Sequence, residues 1–190
     1  MSTFITTEHP RGRVNNSGQF RDKEHSAPEA SLGLVAPTDT EALTTARNWS
    51  AAPDELRTVG RRSNNPWLVE IALAKNPNTP ADTLEHLAAT SWQSDVRHRL
   101  ASHLNTPPAV LHEMIKDRRR DIRAYVASNP MTAPVDVLAL AGDDDLQVVV
   151  QVIAREDLPA NVIARLRQSG YIVVHERLDA REAAAALVAT

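Results

Sequence analysis

A short motif that recurs at a regular spacing is the feature that most constrains the fold of this 190-residue chain. Asn78-Thr79-Pro80 returns 27 residues later as Asn105-Thr106-Pro107. A proline recurs more widely at the same point of each unit, at Pro53, Pro80, Pro107, Pro134 and Pro159. Self-similarity with a period in the twenties is typical of a stack of short units that each contact only their neighbours.

Each unit opens with a segment whose apolar residues lie four positions apart, on one side of a helix. The five pairs are Val69/Leu73, Val96/Leu100, Ile122/Val126, Val148/Val152 and Val174/Leu178. Asn76-Pro77 and Asn129-Pro130 end two of these segments, because a residue before proline disfavours the α region. Helices this short are unstable alone, so the pattern predicts an all-α fold: an α-solenoid of about five or six helical pairs, each about 25–28 residues long.

The second segment of each unit is predicted to begin with a threonine N-cap followed by proline, as at Thr79-Pro80 and Thr106-Pro107. An apolar anchor is expected three or four residues after the proline. These anchors are Leu56, Leu84, Leu111, Leu138 and Ile163. Polar loops such as 118–121 and 142–145 close the units, and the alanine-rich stretch 182–187 is predicted to be a C-terminal capping helix.

Residues 1–38 are predicted to form a disordered N-terminal arm ahead of a helical-repeat domain over residues 39–190. The arm has no sustained hydrophobic period and too little apolar surface to offset its backbone entropy. Phe20, within Gly18-Gln19-Phe20-Arg21, is a candidate docking anchor. A flexible terminus without a binding role is the alternative.

The segment 95–102 with 105–111, and the segment 121–130, resemble the variant leucine-rich repeat, a family similar in form to HEAT repeats. The stretch 72–80 fits the same pattern, and the resemblance covers roughly residues 68–140. It implies a right-handed superhelix of short α and 3₁₀ helices. Some members carry an iron–sulfur cluster, which this cysteine-free sequence cannot hold in that way. The arm resembles N-terminal segments seen ahead of unrelated domains in actinobacterial and phage proteins.

Composition excludes several kinds of function. Without cysteine, the chain has no disulfide scaffold, thiolate metal site or cysteine nucleophile. A formal net charge of -3 provides no global attraction to nucleic acid or to an acidic membrane. No apolar run is long enough to span a bilayer and no secretory signal is recognised, so a soluble cytoplasmic protein is expected. No nucleophile elbow, phosphate-binding glycine loop or dinucleotide fingerprint occurs, so neither a catalytic residue nor a cofactor is predicted.

Six arginines form the candidate interaction surface: Arg97, Arg99, Arg118, Arg119, Arg120 and Arg123. Arginines on successive units can follow a phosphate backbone, which makes nucleic-acid binding the alternative function. Against this, Asp117 and Asp121 bracket the arginine run. The Asp95/Arg97 pair also returns as Asp121/Arg123, which favours a structural role in which aspartate caps a helix and arginine bridges to a neighbouring unit.

Histidines and tryptophans complete the candidates. Four histidines lie in adjacent units without the spacing of a metal site and are expected on the surface: His86, His98, His103 and His112. Trp92 is a candidate binding anchor, although all three tryptophans are expected to cover seams between units. The sequence therefore favours a non-catalytic scaffold that binds a protein or peptide, and an enzyme is the weakest hypothesis.

Overall fold

The computed structural model describes residues 37–62 and 66–188, and over these residues it contains eleven helices and no strand. The helices are α1 (Pro37–Arg47), α2 (Pro53–Gly60), α3 (Trp67–Lys75), α4 (Ala81–Thr90), α5 (Ser94–Ser102), α6 (Pro108–Met114), α7 (Arg120–Ser128), α8 (Pro134–Leu140), α9 (Leu146–Ile153), α10 (Ala160–Arg167) and α11 (Ile172–Val188). The all-α prediction is confirmed for this part of the chain. The predicted arm, with Phe20, lies outside the described residues except for Pro37 and Thr38, which begin α1.

Helices pack against the helix two positions further along the chain. α3 contacts α5, and the same contact recurs between α5 and α7, α7 and α9, and α9 and α11. Among the even-numbered helices, α2 contacts α4 and α8 contacts α10. The stretch 182–187 lies in α11 and is helical as predicted.

The five apolar pairs of the odd-numbered helices are buried, as their spacing predicts. None of these ten side chains exposes more than 1% of its surface. The residues that follow three of the pairs, Ala74, Ala101 and Ala127, are buried as well. Burial of one valine or leucine contributes about 1.5–3 kcal/mol, so these stripes are a main source of stability for helices of two to three turns.

The anchors of the second helices match the prediction only in part. Three are fully buried: Leu56, Leu84 and Leu111. Leu138 and Ile163 are only partly buried, and the residues just before them, Val137 and Val162, are buried instead. In α8 the reason is a shift of one residue, because Pro134 is the first helical residue there, whereas a proline is the N-cap of α4 and α6.

The threonines before the prolines do not cap the second helices, so this prediction was wrong. Pro80 is the N-cap of α4 and makes no side-chain cap bond. The Thr79 hydroxyl instead donates to the carbonyl of Leu73 at 2.7 Å, and Thr106 and Thr132 make the same bond in the next two units. These carbonyls lie in the last turn of an odd-numbered helix. A carbonyl there cannot accept the usual helical hydrogen bond from the N–H four residues later, so the threonine hydroxyl supplies a donor.

A ladder of hydrogen bonds joins side chains to main-chain carbonyls that lie 25–30 residues earlier in the sequence. Asn129 Nδ2 donates to the carbonyls of Ala101 and His103 at 2.9 and 3.1 Å, while its Oδ1 accepts the N–H of Met131 at 2.9 Å. Four other side chains at equivalent places bond to carbonyls of the preceding unit. We call the five the ladder residues: Asn76, His103, Asn129, Arg155 and Arg181.

His103 occupies a ladder position and is buried, contrary to the prediction of a surface histidine. Its Nε2 lies 2.9 Å from the carbonyl of Asn76, and its Nδ1 accepts the N–H of Asn105 at 3.0 Å. A carbonyl only accepts and an amide N–H only donates, so the ring is neutral with its proton on Nε2. In this state the imidazole replaces both the donor and the acceptor of an asparagine side chain.

Candidate peptide-binding groove

A groove of about 740 Å³ lies between the exposed sides of α7 and α9. It forms because both helices turn their apolar pairs into the core, which leaves the opposite sides facing solvent. Three residues of α7 line its centre (Ala124, Tyr125 and Ser128), and four of α9 face them (Leu146, Gln147, Val150 and Gln151). Charged residues from the N-terminal ends of the two helices close the lining: Arg120, Asp121 and Asp145.

The Tyr125 ring is the main aromatic surface of the groove and is supported by a neighbouring helix. Its centroid lies 4.3 Å from that of His98 on α5, with the two ring planes at 75°. Edge-to-face contacts of this kind contribute about 0.5–1.5 kcal/mol. Tyr125 still exposes 41% of its surface, and Leu146, which lines the same groove, is also exposed. A supported but accessible aromatic ring that shares a groove with an exposed leucine has the composition of a binding anchor.

Two glutamines give the α9 side of the groove its hydrogen-bonding capacity. Gln147 and Gln151 lie one helical turn apart and both line the groove. Four residues of α-helix rise about 6 Å, close to the distance of about 6.6 Å between alternate residues of an extended chain. Each primary amide carries donors and an acceptor, so the two side chains match the N–H and C=O groups of alternate residues in such a chain.

The charged end of the groove is internally compensated. Asp145 is the N-cap of α9, and its Oδ1 accepts the N–H of Gln147 at 2.8 Å. Its other carboxylate oxygen lies 3.3 Å from Nη1 of Arg120. This pair therefore fixes the start of α9, and the neutral centre of the groove is the candidate binding surface.

Two of the predicted interaction arginines are instead held by loop aspartates. Arg123 Nε and Nη2 donate to the two carboxylate oxygens of Asp143 at 2.7 and 2.8 Å. Arg97, one unit earlier, donates through Nε to Asp117 at 3.0 Å. Each arginine therefore bridges two parts of the chain as predicted. Its partner lies in the loop after the next helix, which is the loop after α6 for Arg97 and the loop after α8 for Arg123. The aspartates predicted as caps do not cap, because the N-caps of α5 and α7 are Gln93 and Arg119.

The Arg123–Asp143 pair changes the titration of both groups. Burial raises the pKa of Asp143, but hydrogen bonds from Arg123 and from the N–H of Asp145, with the charge of Arg123, lower it by more. The net result is that the pKa of Asp143 lies below its ordinary value of 3.8. The hydrogen bond to Asp143 likewise raises the pKa of Arg123 against the opposing effect of burial. Both groups are thus charged near neutral pH.

The other arginines differ in their partners. Arg119 Nε lies 3.7 Å from Asp121, and Arg120 is paired with Asp145 as described above. The side chains of Arg99 and Arg118 make no ion pair or hydrogen bond within the part of the chain that the structure describes. Four of the six arginines are therefore next to carboxylates, which reduces the positive charge available to a phosphate backbone.

The histidines make separate local contacts. His98 packs on Tyr125, and His103 is a ladder residue. His112 Nδ1 lies 2.7 Å from Oδ1 of the buried Asp136 on α8. Over residues 37–62 and 66–188, no group of three or more His, Cys, Asp or Glu side chains is arranged to hold a metal ion.

Trp92 does not cover a seam. It exposes 84% of its surface in the loop between α4 and α5, and Trp49 exposes 70% in the turn after α1. The seam prediction was therefore wrong for both. In the loop that contains Trp92, the buried side chain is that of Ser91, whose hydroxyl donates to Glu70 at 2.8 Å. Trp92 thus remains an exposed aromatic side chain, as a binding anchor requires.

The groove residues Tyr125, Gln147 and Gln151 were not recognised from the sequence. The repeated spacing of the buried pairs contains a signal for them. Residues between and beside the buried positions lie on the exposed side of each odd-numbered helix, and the exposed sides of two neighbouring helices lie next to each other. Because these residues are uncharged and belong to no recognised motif, the sequence alone did not suggest them as binding residues.

Comparison with known proteins adds no relative: no protein-family model, curated protein or solved structure matches the chain. Among the helices described, none combines the length and the apolar character needed to cross a membrane.

Proposed function

We propose that this chain is a non-catalytic helical-repeat scaffold that binds an extended segment of a protein partner in the groove between α7 and α9. The proposed fold is a short α-solenoid of the variant leucine-rich repeat kind. The ladder supports it, because ladder bonds to equivalent carbonyls span 28, 27, 26 and 26 residues in four successive steps. Each step repeats the same contact between neighbouring units, which is the basis of a solenoid.

The combination of Tyr125 with the Gln147/Gln151 pair is the observation that supports peptide binding most strongly. The glutamine amides are placed to bond the backbone of an extended chain, and Tyr125 with Leu146 offers an apolar surface to one of its side chains. Backbone bonding provides affinity for many sequences, while the aromatic surface selects among them. The neutral centre of the groove favours an uncharged apolar segment.

Selection from a random peptide library against the purified protein tests the proposal. The enriched peptides are expected to bind the unmodified protein in fluorescence anisotropy, and Tyr125→Ala/Gln151→Ala is expected to weaken them by about tenfold or more. The reason is that the double variant removes the aromatic surface and one of the two amides.

Gln168→Ala is the matched control, because Gln168 is an exposed glutamine just after α10 that does not line the groove. It is expected to leave the affinities within about twofold. Enriched peptides that bind the groove variant as tightly as the unmodified protein would refute the assignment to this groove, and so would a selection that enriches none.

A further inference from the structure

A second concave site lies where the turn between α3 and α4 meets the turn between α5 and α6. It encloses about 310 Å³ and shares no lining residue with the groove. Lys75, Pro77, Arg99 and Leu104 are its cationic and most apolar lining side chains. We call this site the turn pocket.

Among the residues that the structure describes, the two cations of the turn pocket have no counter-ion. The side chains of Lys75 and Arg99 are exposed and make no hydrogen bond or ion pair with any residue that the structure describes. None of the described residues that line the pocket is an aspartate or a glutamate. Arg97, two residues from Arg99, is by contrast held by Asp117. Two uncompensated positive charges at one concavity attract a carboxylate, which can accept charge-assisted hydrogen bonds from both.

The apolar part of the turn pocket is exposed and yet fixed in place. Leu104 exposes 63% of its surface, and Pro77 is exposed beside it. Asn105 Nδ2 ties the two turns together by donating to the carbonyls of Pro77 and Thr79 at 3.0 and 3.1 Å. The ladder bond from His103 joins the same two turns. A partner that covers these side chains therefore loses little conformational entropy on the side of this protein.

We propose that the turn pocket binds an acidic protein segment in which a carboxylate stands next to an apolar side chain. The carboxylate would lie between Lys75 and Arg99, and the apolar side chain against Pro77 and Leu104. Charge complementarity selects the acidic residue. The concave shape favours a protruding side chain over a flat lipid surface. This binding is additional to that of the groove, whose centre is neutral.

A labelled peptide with two glutamates flanking a leucine and a phenylalanine, in a glycine–serine background, is the probe. It is expected to bind the full-length protein in fluorescence anisotropy, and the same peptide with lysine in place of glutamate is expected not to bind. Lys75→Glu/Arg99→Glu should weaken the acidic peptide by about tenfold or more, because attraction becomes repulsion at both positions. Circular dichroism should be unchanged, since both side chains are exposed.

Two matched variants separate this site from the rest of the surface. Arg118→Glu reverses another exposed arginine without an ion pair, and Tyr125→Ala/Gln151→Ala disrupts the groove; both are expected to leave the affinity within about twofold. Equal binding by the charge-reversed variant, or no binding of the acidic peptide to the unmodified protein, would overturn the proposal. So would capture of phosphatidylserine vesicles or of a homopolymeric oligonucleotide that requires Lys75 and Arg99, because the pocket would then be a site for phosphate groups.

Discussion

Replacing Asn129 with alanine is expected to lower the free energy of unfolding by about 3 kcal/mol. The change removes the donor for the carbonyls of Ala101 and His103, and the acceptor for the N–H of Met131. The carbonyl of Ala101 and the N–H of Met131 lose the partner that Asn129 supplies, whereas the carbonyl of His103 still accepts the N–H of Thr106 at 3.2 Å. Each buried polar group that is left without a partner costs about 1–3 kcal/mol. Urea unfolding followed by circular dichroism measures the loss.

Two further variants test whether the ladder bonds themselves cause this loss. Asn129→Asp keeps the shape and the acceptor for Met131 but directs a carboxylate at two carbonyl oxygens, so it should destabilise at least as much as alanine. Asn78→Ala removes an exposed asparagine that donates to the carbonyl of Trp49 at 2.8 Å, and about 1 kcal/mol is expected. If Asn129→Ala costs no more than Asn78→Ala, the ladder does not join the units as described.

Removing either partner of the Arg123–Asp143 pair is expected to lower the free energy of unfolding by about 2 kcal/mol. The side chains of Arg123 and Asp143 expose only 14% and 8% of their surfaces, so the partner that remains is poorly hydrated. Arg123 without Asp143 still donates to the carbonyl of Asp117 at 2.9 Å and lies 3.3 Å from Asp144, so Arg123→Ala is expected to be the more costly of the two changes. Alanine variants of each residue and of both, compared in a double-mutant cycle, should give a coupling of about 1–2 kcal/mol.

The same pair predicts a pH dependence. Because the pKa of Asp143 is lowered from 3.8 by folding, its contribution to stability is present above that value and is lost as the pH falls through the lower pKa of the folded state. The unfolding free energy of the unmodified protein should therefore decline below about pH 4, and Asp143→Asn should show a shallower decline there. Urea midpoints measured between neutral and acidic pH give both curves.

The exposed pair Arg120–Asp145, at 3.3 Å, is the control for the double-mutant cycle. Solvent screens such a pair, so a coupling below about 0.5 kcal/mol is expected. A coupling for Arg123–Asp143 as small as the control value, or an unchanged acid decline in Asp143→Asn, would contradict the structural role of the pair.

The odd-numbered helices were predictable because their burial follows from local spacing. Val96 and Leu100 lie four residues apart, and an α-helix with 3.6 residues per turn places two such residues on the same side. If one residue of the pair is buried, the other is therefore expected to be buried as well. The same logic failed for Leu138, because it counted from a proline whose place relative to the helix start changes between α4 and α8.

The ladder was harder to predict because its members differ in chemistry. His103 lies 27 residues after Asn76 and 26 residues before Asn129, but asparagine, histidine and arginine share no obvious property. What they share is a donor that reaches the carbonyls of the preceding unit, and this depends on a main-chain position about one period away. Local propensity contains no information on that distance.

The candidate groove illustrates the same limit. The sequence drew attention to arginines because charge is visible in composition. The aspartates that neutralise Arg97 and Arg123 lie 20 residues further along the chain, so the pairing is a tertiary property. Tyr125 and Gln151 become a candidate site only once α7 and α9 are known to lie side by side.

Deleting one whole predicted unit from the middle of the chain tests the proposed stack of units most directly. Removal of residues 103–128 brings Asn129 to the position of His103, which lies 26 residues before it. If the units stack as a solenoid, the shortened chain should keep its helical circular dichroism and one cooperative urea transition at reduced stability. Removal of residues 103–115, about half a unit, should abolish that transition. A chain lacking 103–128 that is as unfolded as the half-unit deletion would contradict the account.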